Sequence, residues 1–179
     1  MDSKTVYILL DADVIIHFYK ADRLSVLQEL YKGRLLVLDF VLEELMRNKT
    51  IAPHVENFLR FKVIEEYSFP SKDEEILKEY ARLSKTKGKG ESACMAVCRY
   101  QNNILASSNL SDIKPYCEQH GIAYLTTMDI LAIAHKKRLM SLKECDESIT
   151  AILSRQSKLP YDNLSEFLAK DFKMEKCQY

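Results

Sequence analysis

A chain of 179 residues, 47% hydrophobic and 29% charged, has the length and composition of about one globular domain with a sizeable core, which excludes intrinsic disorder, collagen and coiled coil. No run approaches the roughly 18 apolar residues that span a bilayer, and Met1-Asp2-Ser3-Lys4 opens no signal-type segment, so the expectation is a cytoplasmic protein with no membrane partner. Lysine plus arginine total 26 and aspartate plus glutamate total 26, so any polyanion site must be a local patch.

Apolar runs alternate with amphipathic stretches along the chain. Val6 to Leu10 is a short run ending in Asp11, with the length and β-branching of a strand buried on both faces. Arg23 to Lys32 carries Leu24, Leu27, Leu30 and Tyr31 at helical spacing, and Gly33 is its stop signal. Leu35 to Leu38 reads as the second strand. Val41, Leu42 and Leu45 follow on a short helix, Pro53 to Phe61 is helical, and Lys62 to Glu66 is a weaker third strand. Ser71 to Ser84 returns to helix, with Ser71 as cap and Asp73, Glu74 and Glu75 in its first turn.

The basic loop Lys85 to Gly90 leads into a helix over Glu91 to Gln101. Ile104 to Ala106 and Ala123 to Leu125 are the fourth and fifth strands, flanking a helix over Asp112 to His120 that Gly121 stops. Strands separated by helices of this length imply a parallel sheet covered on both faces, an α/β three-layer domain. After Met128 only helices are expected, at Ile130 to Arg138, Leu142 to Arg155 and Leu164 to Phe172. Residues 1–140 therefore form the domain, and 141–179, too short for a large core of its own, a helical extension packed on or beside it. The five cysteines are odd in number and dispersed, without paired C-x-x-C knuckles, and read as reduced core thiols.

In parallel α/β sheets ligands bind outside the carboxyl ends of strands. Four acids fall at such places: Asp11 ends the first strand, with Asp13 two residues on; Glu44 follows the second; Glu91 opens the helix before the fourth; Asp112 follows the fourth by a short turn. Carboxylates brought together repel one another and lose hydration, and a divalent cation resolves both costs. An all-oxygen set without His or Cys suits Mg²⁺ or Mn²⁺, which can activate water and clamp a phosphodiester. The alternative for each acid is a helix cap or a solvated charge, and it weighs least on Asp11, an acid closing a buried strand.

Four segments in this order resemble the motifs of PIN-domain ribonucleases, the family that includes VapC-type toxins. Leu9-Leu10-Asp11-Ala12-Asp13-Val14-Ile15 is similar to the opening motif, and Val41-Leu42-Glu43-Glu44-Leu45 to the second. Gly88-Lys89-Gly90-Glu91-Ser92-Ala93 resembles the third, and Ile104 to Ile113, through Ser107-Ser108-Asn109 to Asp112, the fourth. The resemblance implies a five-stranded parallel sheet and metal-dependent hydrolysis of RNA phosphodiester bonds, with Asp11, Glu44, Glu91 and Asp112 as the acidic site. Asp11, Glu91 and Asp112 would be the metal ligands, and Glu44 would hold a second ion or a metal-bound water. It also implies an antitoxin or other protein partner and a homodimer. Two departures stand out: Asn109 and Glu91 lie where many relatives carry Asp. Asn109 would offer an oxygen ligand without charge.

Other residues have candidate supporting roles. Asp13, Ser107, Ser108 and Asn109 lie beside the acids, and Lys85, Lys87 and Lys89 are candidates for binding RNA phosphates, with solvated loop charge as the alternative. His17 and His135 lack a partner at ligand spacing and receive no chemistry. Two other functions stay open: a PIN-like module that binds RNA or protein without catalysis, and a phosphatase resembling the haloacid dehalogenases. The second rests on Asp11-Ala12-Asp13-Val14, and it lacks the late paired acids, offering only Asp129 after the last strand.

Overall fold

Five short strands join side by side, all parallel, in the computed structural model, which describes residues 5–179. Met1 to Lys4, read above as lacking a signal segment, lie outside the described residues. β1 (Ile8–Leu10), β2 (Leu35–Leu38), β3 (Glu65–Tyr67), β4 (Ile104–Ala106) and β5 (Tyr124–Leu125) form the sheet in the order β3-β2-β1-β4-β5. Ile8 lies opposite both Leu35 and Ile104, and Leu105 opposite Tyr124. Every residue of β1, β2 and β4 is buried, which is why these strands read as unbroken apolar runs. β3 is one of the two edge strands and exposes Glu65 and Glu66. It begins later than the sequence suggests, because Val63 and Ile64 donate their backbone N–H groups to Phe58 O at 2.8 and 3.4 Å and close the preceding helix.

Ten α-helices accompany the strands among the described residues: α1 (Ala12–Lys20), α2 (Leu24–Tyr31), α3 (Asp39–Arg47), α4 (Ala52–Arg60), α5 (Glu74–Leu83), α6 (Lys89–Gln101), α7 (Leu110–His120), α8 (Thr127–Lys136), α9 (Leu142–Ser154) and α10 (Leu164–Lys170). α1 has no counterpart in the sequence reading. Its Val14-Ile15-Ile16 run is β-branched, yet Val14, Ile15 and Phe18 all enter the core, and burial outweighs the weak propensity. α5 is capped by Asp73, whose Oδ1 accepts from the Glu75 and Ile76 N–H groups, so Ser71 is not the cap. α6 opens at Lys89 and α7 at Leu110, each two residues earlier than expected, which puts Glu91 and Asp112 in first helical turns where the dipole favours an acid. Gly121 ends α7 with φ +65°, a backbone conformation that glycine adopts without strain.

α9 packs on α1 and α8, and α10 packs on α8 and α9, adding Cys145, Ile149, Leu164 and Phe167 to the same hydrophobic core. A 3₁₀ turn, Met174–Gln178, folds back onto α8. The sheet order reverses at β1 and β4: the chain builds β2 and β3 on one side, then crosses to β4 and β5 on the other. The crevice at the carboxyl ends of β1 and β4 is thus the switch point of the sheet, the place where such folds bind ligands. All five cysteines are free thiols, and no described helix is long and apolar enough to cross a membrane.

Candidate active site

Asp11 leaves β1 at the switch point, its N–H bonded to Ala106 O across β4 at 2.9 Å. It is the N-cap of α1, accepting from the Ala12 N–H, and is 7% exposed. In the first turn of α1, Asp13 Oδ2 accepts from the Ser108 N–H at 2.8 Å and from the Ser107 hydroxyl at 3.4 Å. Its Oδ1 is buried with no hydrogen-bond partner. Burial, and then the charge of Asp13, push the Asp11 carboxyl upward; burial also raises Asp13, against the hydrogen bonds from Ser108 and Val14.

Glu91 faces this pair from α6. Burial, followed by the negative charges of Asp11 and Asp112, pushes its carboxyl up to about 7. Glu44 comes from α3 on the other side and is exposed. α3 reaches the N-terminal turn of α6 because Gly90 has no side chain: a Cβ there would stand 3.1 Å from Val41 Cγ2 and 3.6 Å from Glu44 Oε2. That close approach is the physical content of the Gly-Glu pair at 90 and 91.

Asn109 and Lys87 complete the rim in a way the sequence does not show. Asn109 Nδ2 donates to Glu91 Oε1 at 2.9 Å and to Asp112 Oδ2 at 2.7 Å, while its Oδ1 accepts from the Ser111 hydroxyl at 2.8 Å. Its nitrogen, not its oxygen, therefore faces the acids, and the expected neutral oxygen ligand is absent from this arrangement. The Lys87 ammonium is paired with Asp112 Oδ1. First the Lys87 bond and then, against burial, the Asn109 bond hold Asp112 below the usual carboxylate range. Lys87 is thus engaged at the acids, whereas Lys85 and Lys89 remain exposed.

Sequence reasoning also missed a buried hydroxyl chain behind the site. Ser108 Oγ donates to Thr127 Oγ1 at 2.8 Å and accepts from the Thr127 N–H at 3.0 Å. His17 Nδ1 lies 2.8 Å from Thr127 Oγ1 and extends the chain by one more hydrogen bond. Asp13 and His17 are four apart on α1 and share its face, a signal that only the unread helix would have exposed. Asp129 has a structural role: it closes the capping box of α8 with Thr126 and pairs with Lys176 at 2.7 Å. The phosphatase alternative thereby loses its one late acid.

The acids around the crevice offer only oxygen ligands, two of them are pushed up by burial and then by neighbouring negative charge, and one buried carboxylate oxygen lacks a partner. In chemistry this set fits a hard divalent cation. In geometry it is not closed: among the described residues no three His, Cys, Asp or Glu side chains converge as a ligand group.

Residues 7–171 match the PIN-domain family, and the chain belongs to it. Members of this family are generally nucleases. A chain of the DNA-bound VapBC from Salmonella typhimurium superposes with a TM-score of 0.52 at 16% identity, over 69% of this chain and 99% of that one, and so shares the fold. No curated protein matches the chain.

Proposed function

We propose that this protein is a Mg²⁺- or Mn²⁺-dependent endoribonuclease hydrolysing RNA phosphodiester bonds. The observation that carries the reading is the placement of Asp11, Asp13 and Glu91 around the switch-point crevice, where burial first and like charge after it raise all three carboxyls. Asp11, Glu91 and Asp112 are the candidate ligands, with Glu44 at the rim for a second ion or its water. A divalent ion bound there supplies an activated water and neutralises charge on the phosphodiester.

The chain's own residues do the rest. Ser107 and Ser108 hold Asp13 in place through one hydroxyl and one backbone N–H. The α6 N-terminus, with Lys85 and Lys89 exposed beside it, offers salt-dependent and sequence-independent attraction to RNA phosphates. The fold shared with a VapBC chain supports a toxin role with an antitoxin partner, and the reading takes a homodimer as its assembly.

Cleavage of a mixed single-stranded and structured RNA pool with Mn²⁺, Mg²⁺ or chelator, comparing the parent with Asp11→Asn, tests the reading. Metal-dependent cutting that Asp11→Asn abolishes is expected; equal cutting by the variant, or none by either, overturns it. A second reading, a PIN-like module binding RNA or protein without catalysis, draws on Lys87, which offsets the charge of Asp112, and on Asn109, which hydrogen-bonds both Glu91 and Asp112.

A further inference from the structure

Acids brought near one another need compensation, and here an ammonium and an amide nitrogen supply it at one side of the crevice only. Asn109 bridges Glu91 to Asp112, and Lys87 pairs with the other Asp112 oxygen. Asp11 and Asp13, on the opposite side, have backbone and hydroxyl donors but no cationic side-chain partner among the described residues. The Asn109 bridge is fixed in orientation, since Ser111 occupies the amide oxygen and a flipped amide would set that oxygen against two carboxylates. Lys87 is held as firmly: its side chain is only 17% exposed, unlike its loop neighbours Lys85 and Lys89. A cationic partner and an amide nitrogen thus take up the lone pairs of Asp112 that a metal would use, which explains why the acids do not converge as a ligand group.

We propose that Lys87 is an internal cation that competes with the divalent ion for Asp112, so that loading the site requires Lys87 to let go of that carboxylate and the Asn109 bridge to open. This rests on the metal-dependent reading above. Asp112 is then a ligand only in the loaded state, and Lys87 is a positioning residue that sets metal affinity. Removing one positive charge beside a divalent ion should tighten binding about tenfold, because the Lys87 side chain is largely shielded from bulk water.

The test is Mn²⁺ titration of the full chain by calorimetry for the parent, Lys87→Met, Lys87→Arg and, as a control for charge alone, Lys85→Met. The expected result is about tenfold tighter binding in Lys87→Met, with parent-like affinity in Lys87→Arg and Lys85→Met. Equal or weaker binding by Lys87→Met while the parent binds Mn²⁺ overturns the competition and leaves the metal site standing. Absence of Mn²⁺ binding in the parent and every variant overturns both. A measurement on the parent alone guards against a variant that does not fold: the Lys87 Cε–Hε NMR signals should shift on Mg²⁺ addition while those of Lys85 stay, and unmoved Lys87 signals overturn the proposal.

Discussion

His17 Nδ1 sits 2.8 Å from the Thr127 hydroxyl, deep behind the acids, and only 6% of the residue reaches solvent. Burial, and then the charge of Lys20, push its pKa down to about 4, so the folded state holds the ring neutral. The unfolded chain takes up this proton near pH 6.5, so stability is full above that pH and falls as pH drops from 6.5 to about 4. The loss is on the order of 3 kcal/mol. His17→Asn keeps a hydrogen-bonding partner for Thr127 and removes the titration. Urea unfolding at pH 7, 6, 5 and 4 should show a flatter pH dependence for the variant over this window; parallel curves would remove His17 as the cause.

Glu79 ties three helices together. From α5 it accepts hydrogen bonds from Arg82 at 2.6 and 3.0 Å, and it also receives Arg99 of α6 at 2.9 Å and Tyr116 of α7 at 2.7 Å. The Arg82 bonds foremost, against burial and with Tyr116 and Arg99 assisting, bring its pKa to about 2. A depressed carboxyl contributes stability that is complete above the unfolded value of 4.5 and disappears as pH falls toward 2. Because Arg82 is 58% exposed, solvent screening trims the gain, and Glu79→Gln should cost about 1–3 kcal/mol at neutral pH. Urea midpoints at pH 7 and pH 3 check this: the gap between parent and variant should narrow at the lower pH.

What the sequence makes legible, and what it hides, follows from the range of the interactions. β1, β2 and β4 announce themselves because a strand buried on both faces must be apolar throughout, and Asp11 stands out as the polar residue that ends one. α1 was hidden because Val14-Ile15-Ile16 looks local and strand-like while its helical state is decided by core contacts far along the chain. The same holds at the site. The candidate acids Asp11, Glu44, Glu91 and Asp112 are legible from their places near strand and helix ends. The orientation of Asn109 depends on Ser111, and the engagement of Lys87 depends on Asp112, 25 residues away; neither leaves a periodic trace. Lys87 was indistinguishable from Lys85 and Lys89 until the loop was folded.

The five free thiols should separate sharply by reactivity. Cys94 and Cys98 are fully enclosed, and burial pushes both thiols well up; Cys117 and Cys145 are pushed up to about 12, burial again leading. Cys177, in the 3₁₀ turn, is the half-buried one. A thiolate is the reactive form, so a disulfide reagent at pH 8 should label one cysteine quickly in the native protein and all five in denaturant. Peptide mapping should place the fast label on Cys177. Fast labelling of Cys94, which neighbours Asp11, would mean that the switch-point crevice opens in solution.

The last eight residues lie beyond the family match and bring in their own anchor. Lys176 Nζ reaches Asp129 Oδ2 at 2.7 Å and lies 4.3 Å from the centre of the Tyr124 ring. The Asp129 side chain is 3% exposed and that of Lys176 14%, so this is a shielded pair with a cation–π contact on its flank. Asp129 also accepts from the Thr126 N–H and hydroxyl, both at 2.8 Å, so its charge stays partly satisfied when the lysine is removed. Lys176→Met should therefore cost about 2–3 kcal/mol, less than the full cost of stranding a buried carboxylate. Asp129→Asn alone should weaken the α8 cap, and the double variant should lose less than the sum of the two, a coupling of about 1–2 kcal/mol by urea unfolding. Strict additivity would mean that the C-terminal turn is held by its apolar contacts and not by the ion pair.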